Sequence, residues 1–448
     1  MGRTKIDKIQ MPLIADCPVQ RFADLEFRSA EEIAVVQNDL LAEHVRYAGR
    51  SSPFYRDLFE RSEFDPGSVK SADDLARLPC TDKSDLTARA ADFLAVSPDE
   101  IVDVCLTSAT TGDSPSALLQ TRGDLARLAY NEGAAFRMLG VGPGDTMVVA
   151  AALDRCFMAG LAYYLGGLRV GARMVRAGSG NPIQQWQILK ATGANVLVGV
   201  PSLMWKIGQA ARESGGNPAA MGVRMMAAIG EPTRDADLEL LPAARRLEEM
   251  WNAPVHSTYA STEIATAFCE CPERRGGHLR PELATLEILD DAGGPVPSGG
   301  VGEAVVTPLG VQGMPLVRFR TGDISFLIDE PCPCRRRTPR LGPILGRKNQ
   351  MLKYKGTTLF PSSILAALEG RDEVTGAYVE ARRGEGGTDR VIVKVNVSKA
   401  EITTDDIAEL LRAHIRVAPE VVLVSDAELQ ERTSQLSKRK RATFFDFR

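Results

Sequence analysis

The chain is expected to fold as an α/β protein with a large N-terminal domain of helix-covered parallel sheets, a β-rich subdomain, and a small α+β C-terminal domain across a hinge. Three observations predict this. Short apolar runs at Thr146 to Leu153, Ala194 to Val200, Val223 to Ile229 and Val255 to Tyr259 alternate with helical segments, the pattern of parallel strands buried on both faces. From Leu283 onward the sequence turns β-rich, with Gly- and Pro-dense turns at Gly293 to Gly302. The polar stretch Gly346-Arg347-Lys348-Asn349-Gln350 then separates apolar flanks, which marks a hinge and divides the chain into residues 1–348 and 349–448.

Taken in order, Ala30 to Ala48 carries apolar residues at Ile33, Val36, Leu40, Leu41 and Val45, the spacing of an amphipathic helix. A second helix follows Ser52-Pro53, because Pro suits a first turn. Leu78-Pro79 breaks the pattern, and Thr81 or Asp82 caps the next helix. Ile101 to Leu106 favours a strand. Directly after it, Thr107-Ser108-Ala109-Thr110-Thr111-Gly112 sets four hydroxyls and a glycine in six positions. Small side chains let backbone N–H groups approach an anion and hydroxyls add donors, so this loop reads as a phosphate cradle. Helices are expected over Thr121 to Met138, Pro182 to Thr192 and Leu203 to Ser214, and Gly142 to Asp145 is a turn. Ligands of such sheets sit at the carboxyl ends of the strands, where Pro201-Ser202, Gly230-Glu231-Pro232 and Tyr259 to Glu263 fall. In the tail, helices are expected at Ser362 to Leu368 and Thr404 to Arg416. Strands are expected there at Gly376 to Ala381, Arg390 to Val397 and Glu420 to Val424.

Composition narrows the class. With 448 residues the chain exceeds one core, and a net charge of −4 argues against a nucleic-acid binder acting through bulk charge. Met1 to Gln20 holds charges throughout and no signal-peptide core, and no apolar stretch has membrane-span length. A cytosolic location is expected. There the eight cysteines would be reduced. Cys17, Cys80, Cys105 and Cys156 are scattered packing residues, whereas Cys269, Cys271, Cys332 and Cys334 cluster and suggest a metal.

Five stretches, in this order, resemble the adenylate-forming ligase superfamily and, within it, the phenylacetate-CoA ligase group. They are Thr107 to Pro115; Tyr259-Ala260-Ser261-Thr262-Glu263; Pro315 to Asp323, ending Arg-Thr-Gly-Asp; Gly346-Arg347 with Tyr354-Lys355-Gly356; and Ser437 to Arg441 with Asp446 and Arg448. Pro53-Phe54-Tyr55 and Leu78-Pro79 with Lys83 resemble the group's N-terminal region. The resemblance implies two steps: a carboxylate attacks the α-phosphate of ATP, giving acyl-AMP and pyrophosphate, and a thiol then displaces AMP.

It also implies the site. Thr107, Ser108, Thr110, Thr111 and Gly112, with Gly230 and Glu231, would border the nucleotide. Thr262 would donate to the α-phosphate and Glu263 would hold Mg²⁺. Asp323 would accept from the ribose, Arg347 would add a charged donor there, and Tyr259 would offer its ring to adenine. Lys438 would drive adenylation as the catalytic lysine, with Lys440 the competing candidate, and Asn349 would be the pivot. Phe157, Met158, Ala159, Gly160, Ala228, Ile229 and Ala260 would surround the acid; being apolar and of small to medium size, they suit a flat aromatic acid. Cys271, His278, Cys332 and Cys334 would bind one structural Zn²⁺, with Cys269 as the spare thiol.

Departures exist as well. Ala109 and Ala260 stand where the superfamily usually has Gly, Asp113-Ser114 where a Lys is usual, and Asn349-Gln350 where the hinge is often acidic. The expected function is an ATP-dependent aryl-acid ligase that delivers a benzoate-, anthranilate- or phenylacetate-like acid to CoA. The alternative acceptors are a carrier protein or an amine. A non-catalytic nucleotide- or zinc-binding module is the alternative from another class, and a homodimer is compatible with all of these.

Overall fold

The computed structural model describes residues 17–107, 116–354, 357–369, 371, 373–384, 388–399, 401–434 and 442–448. Ser108, Thr110, Thr111 and Gly112 of the hydroxyl-rich loop and Lys438 and Lys440 of the tail lie outside them.

Helices α1 (Ala30–Ser51) and α2 (Pro53–Arg61) open the chain. The first starts at a reciprocal cap, in which Ser29 accepts from the Glu32 backbone while Glu32 accepts from that of Ser29, and Pro53 begins the second. Helix α3 (Lys83–Ala88) is capped by Asp82 and leads to the antiparallel pair β1 (Ile101–Leu106) and β2 (Ala117–Thr121). Helix α4 (Arg122–Met138) starts at a second reciprocal cap, Thr121 with Asp124.

The central region alternates β3 (Thr146–Ala150), α5 (Met158–Arg169), β4 (Arg173–Arg176), α6 (Pro182–Thr192), β5 (Val196–Gly199), α7 (Pro201–Glu213), β6 (Met225–Ile229), α8 (Pro242–Trp251) and β7 (Val255–Ser261). These strands pair in parallel in the order β4-β3-β5-β6-β7. Alternation along each strand sorts the side chains onto two faces. Val148, Ala150, Leu197, Met226 and Ala228 pack with Trp186, Met204 and Trp251 beneath α6, α7 and α8. Met147, Val149, Val196, Val198, Ala227 and Ile229 pack with Phe136 and Tyr163 of α4 and α5.

The β-rich segment does not form a separate sheet. Strands β8 (Thr266–Glu270), β9 (Gly277–His278), β10 (Ala284–Leu289), β11 (Val301–Pro308), β12 (Phe319–Ile328) and β13 (Arg340–Leu341) continue the path as β10-β11-β12-β13-β9-β8-β7. The joints β9 and β13 are two residues each, too short to leave a period in the sequence. Strand β14 (Gly346–Arg347) adds to β12.

Beyond it, β15 (Leu352–Tyr354) pairs with β16 (Thr357–Leu359), followed by α9 (Pro361–Leu368). A sheet then forms from β17 (Val374–Arg383), β18 (Asp389–Val397), β19 (Glu420–Leu423) and β20 (Phe444–Phe447) in the order β19-β18-β17-β20, with α10 (Thr404–Ile415) and α11 (Asp426–Thr433). Its core of Val379, Val393, Val395, Ile364 and Leu411 is distinct from those of the preceding layers. Among the described residues no helix is long and apolar enough to cross a membrane.

Candidate active site

The hydroxyl-rich loop springs from a closed neck. Thr107 N–H donates to the Ser116 carbonyl at 3.0 Å, and Ser116 N–H donates to the Thr107 hydroxyl at 3.1 Å. Thr107 is therefore buried and engaged as a strut of the neck. The Ser116 hydroxyl meets that of Thr87 at 2.7 Å, which ties α3 to the neck.

At the other end of α3, Lys83 Nζ lies 3.8 Å from Glu263 Oε1. This pairing brings a cation to the carboxylate expected to meet metal and phosphate. The sequence drew attention to Lys83 only through its N-terminal motif, because nothing local relates positions so far apart. Thr262 and Glu263 are half-buried at the end of β7, and the neighbouring Ser261 hydroxyl is buried without a partner among the described residues.

Tyr259, Asp323 and Arg347 come together although they lie on three strands. The Tyr259 hydroxyl donates to Asp323 Oδ2 at 2.8 Å, and Arg347 Nε lies 3.4 Å from Asp323 Oδ1. Register explains the ion pair, since Asp323 of β12 sits directly across from Arg347 of β14. Burial raises the Asp323 pKa, with Arg347 and the Tyr259 hydroxyl pulling the other way, and burial also pushes the Tyr259 phenol well up. The Tyr259 ring leans on Phe268, at 6.1 Å between centroids, and is only half-buried.

Gly230 adopts a left-handed φ of 70° at the end of β6, a conformation that favours glycine. Glu231 turns to α7, where it accepts from the Ser202 backbone at 2.9 Å and from the Ser202 hydroxyl at 2.7 Å. In this conformation its carboxylate caps that helix. Of the residues expected around the acid, Phe157, Met158, Ala159 and Gly160 form the start of α5, and a Cβ on Gly160 would lie 2.0 Å from the Ala152 carbonyl oxygen. Ala260 is exposed at the end of β7. Ala228 stands apart: it packs beneath α6 to α8, on the face of β6 opposite Ile229 and Ala159, because adjacent strand residues point to opposite sides.

The segment around Asn349 is anchored on both sides. Lys348 Nζ reaches Asp291 at 3.0 Å and Glu303 at 3.2 Å. On the other side Arg448 donates to the Met351 carbonyl at 2.8 Å and pairs with Asp389 at 3.0 Å. Asn349 and Gln350 lie between these anchors.

Cys271, His278, Cys332 and Cys334 place their ligand atoms within 4.8 Å of one another. The Cys271 and Cys332 sulfurs are 3.7 Å apart, and Cys334 Sγ is 3.3 Å from His278 Nε2. A disulfide would need about 2.05 Å. A tetrahedral ion with bonds of about 2.3 Å to sulfur spaces its thiolates roughly 3.8 Å apart, so the donor set and spacing fit Zn²⁺. Burial, with Arg336, Arg340 and Arg280 nearby, pulls the His278 pKa down to about 3 and keeps the imidazole neutral. Around Cys334, burial raises the pKa, but hydrogen bonds from Arg336 and the neighbouring thiols outweigh it and leave the value lowered. Cys269 shares the apolar layer beneath α4 and α5 with Cys271 and Cys332 and stands across from His278 in the sheet, but its sulfur accepts from the Thr258 hydroxyl at 3.3 Å and is not one of the four clustered donors.

Residues 30–312 match the AMP-binding enzyme family. A phenylacetate-coenzyme A ligase from Thermus thermophilus is 30% identical over 398 residues, covering 86% of this chain and 88% of that protein. Among solved structures, 2-hydroxyisobutyryl-CoA ligase in the postadenylation state with R3-HIB-AMP aligns with a TM-score of 0.80 at 25% identity, covering 93% of this chain and 89% of that one. The same ligase with 2-HIB-AMP and CoA in the thioesterification state gives 0.69 at 26% identity, over 94% and 91%.

Proposed function

The chain belongs to the AMP-binding enzymes and, within them, to the phenylacetate-CoA ligase group, and from that premise we propose that it activates an aromatic carboxylate. It is an ATP-dependent, AMP-forming acid–thiol ligase. In the first step a carboxylate oxygen bonds to the α-phosphorus of ATP and pyrophosphate leaves. In the second the sulfur of CoA bonds to the acyl carbon and AMP leaves.

The observation that carries the site reading is the convergence of two charged pairs around Tyr259: Asp323–Arg347 across β12 and β14, and Glu263–Lys83 between the turn after β7 and the start of α3. Asp323 receives the ribose hydroxyls and Arg347 steadies it; the Tyr259 hydroxyl holds the other oxygen, with its ring toward the base. Lys83 faces the phosphates and offsets the lysine missing after Gly112. A half-buried carboxylate such as Glu263, held only loosely by Lys83 at 3.8 Å, suits Mg²⁺, which takes one or two carboxylates and completes its shell with phosphate oxygens and water. That ion neutralises phosphate charge when bound. By the resemblance, Lys438 stabilises the charge that builds as carboxylate and α-phosphate approach. Cys271, His278, Cys332 and Cys334 would hold a structural Zn²⁺, which with all its ligands from the protein would brace the fold rather than act on substrate.

The aromatic acid is favoured by the Thermus thermophilus phenylacetate-coenzyme A ligase and by the small apolar residues that start α5. A short hydroxy acid is the competing reading, favoured by the TM-score of 0.80 with 2-hydroxyisobutyryl-CoA ligase. The tail turns about Asn349 between steps, which the lower similarity to the thioesterification state supports. Free CoA and reduced thiols fit a cytosolic setting.

The deciding test is pyrophosphate release with benzoate, anthranilate, phenylacetate and 2-hydroxyisobutyrate, with CoA added afterwards. Preference for 2-hydroxyisobutyrate would overturn the aromatic assignment. Acyl-AMP that accumulates unchanged in CoA but loads a carrier protein would overturn CoA as the acceptor in this chain.

A further inference from the structure

We infer that Arg127 is a positioning residue that sets the phosphate end of the nucleotide site against its ribose end. This rests on the placement of Glu263 and Asp323 proposed above. Arg127 lies one turn into α4 and is 2% exposed. Its guanidinium donates from Nε to the Leu309 carbonyl at 2.7 Å, from Nη1 to the Ala265 carbonyl at 2.5 Å, and from Nη2 to the Leu283 carbonyl at 2.6 Å and the Thr266 hydroxyl at 2.9 Å. Every one of these acceptors is neutral. A buried charge ordinarily demands a carboxylate, and burial draws the Arg127 pKa down to about 10. Here carbonyl dipoles take the place of a directly bonded counter-ion, with Asp124 and Glu282 acting on the charge without a bond to it, and only the planar fork of arginine can address several carbonyls at fixed angles.

The location of the acceptors gives this arrangement its meaning. Ala265 follows Glu263 by one intervening residue and has a φ of 45°, a left-handed conformation that costs a side-chain-bearing residue and persists where surroundings enforce it. Leu283 and Leu309 bracket the β10–β11 hairpin, closed by the Leu309 N–H donating to the Leu283 carbonyl at 2.7 Å. The strand next to that hairpin, β12, carries Asp323. One rigid group thus clamps the turn after Glu263 and the base of the sheet bearing Asp323. Lysine, with a single nitrogen, cannot span them.

The test compares Arg127→Lys, Arg127→Ala with and without added guanidinium, and Thr266→Val, which removes one acceptor while keeping shape. Each is assayed for Mg·ATP binding by calorimetry, for pyrophosphate release, and for thioester formation from supplied acyl-AMP. Misplacement of about 1 Å costs up to roughly a hundredfold in rate. Arg127→Lys should therefore weaken Mg·ATP binding and raise its KM by about tenfold or more, with a distinctly smaller loss in thioester formation, because acyl-AMP keeps the ribose but needs no Mg²⁺ at Glu263. Guanidinium should restore Arg127→Ala in part, and Thr266→Val should show a smaller loss of the same selectivity. Equal losses in both half-reactions, or unchanged Mg·ATP binding in Arg127→Lys or in Thr266→Val, would overturn the inference. Wild-type protein that binds no Mg·ATP would instead sink the reading of the site on which it stands.

Discussion

Glu132 offers a stability measurement whose sign and size follow from its surroundings. It lies in α4 against α5, so close that a Cβ on Gly166 would meet its own Cβ at 2.4 Å. Oε1 accepts from the Asn131 amide at 3.0 Å, whereas Oε2 is buried without a hydrogen-bond partner among the described residues. Burial raises the pKa from 4.5 to about 8, and the Asn131 amide and the Arg280 charge offset only part of it. Between those values the folded protein keeps a proton that the unfolded chain has released. The unfolded state binds fewer protons there, so stability falls as pH rises through this window and levels off above it. At ~1.36 kcal/mol per pH unit the full loss is on the order of 3 to 5 kcal/mol.

Glu132→Gln keeps the shape and the carbonyl that Asn131 addresses but cannot ionise. It should match the wild type near pH 4 and exceed it by a few kcal/mol above pH 8. The three tryptophans lie in α6, α7 and α8, so their fluorescence during urea unfolding reads the layered sheet region rather than the tail. Curves for the two proteins that stay parallel across this range would refute the burial argument.

Protein purified without added metal should contain about one zinc per chain, and Cys332→Ser should lower the melting temperature without changing acid preference; metal-free protein with the same melting temperature would exclude the site. Lys438→Ala should abolish acyl-AMP formation yet form thioester from supplied acyl-AMP, so normal pyrophosphate release would transfer the role to Lys440. Asn349→Pro fixes φ between the Lys348 and Arg448 anchors and should uncouple the half-reactions; equal survival of both would move the pivot elsewhere. Lys83→Met should raise the KM for ATP by about tenfold with little effect on the acid's, and an unchanged value would remove Lys83 from the phosphates.

Local signals determined much of this protein. Thr121 with Asp124 fixed where α4 begins, Pro182 where α6 begins, and the apolar runs marked β3, β5, β6 and β7. Such signals act over a few residues, so a sequence displays them directly. The cysteine pattern stood out for a similar reason, because the close spacing of Cys269 with Cys271 and of Cys332 with Cys334 differs from that of isolated packing thiols such as Cys17 and Cys105. Tertiary structure decided the choice of partners. The β-rich segment joins the parallel sheet through β9 and β13, two-residue strands that exist only because their neighbours supply the pairing. Glu231 turns to Ser202, and Ala228 faces away from Ile229. Tyr259 finds Asp323 across 64 positions and Arg127 finds Ala265 across 138. These contacts depend on strand register and helix docking, which arise from burial summed over the whole chain, and no residue's immediate neighbours encode them.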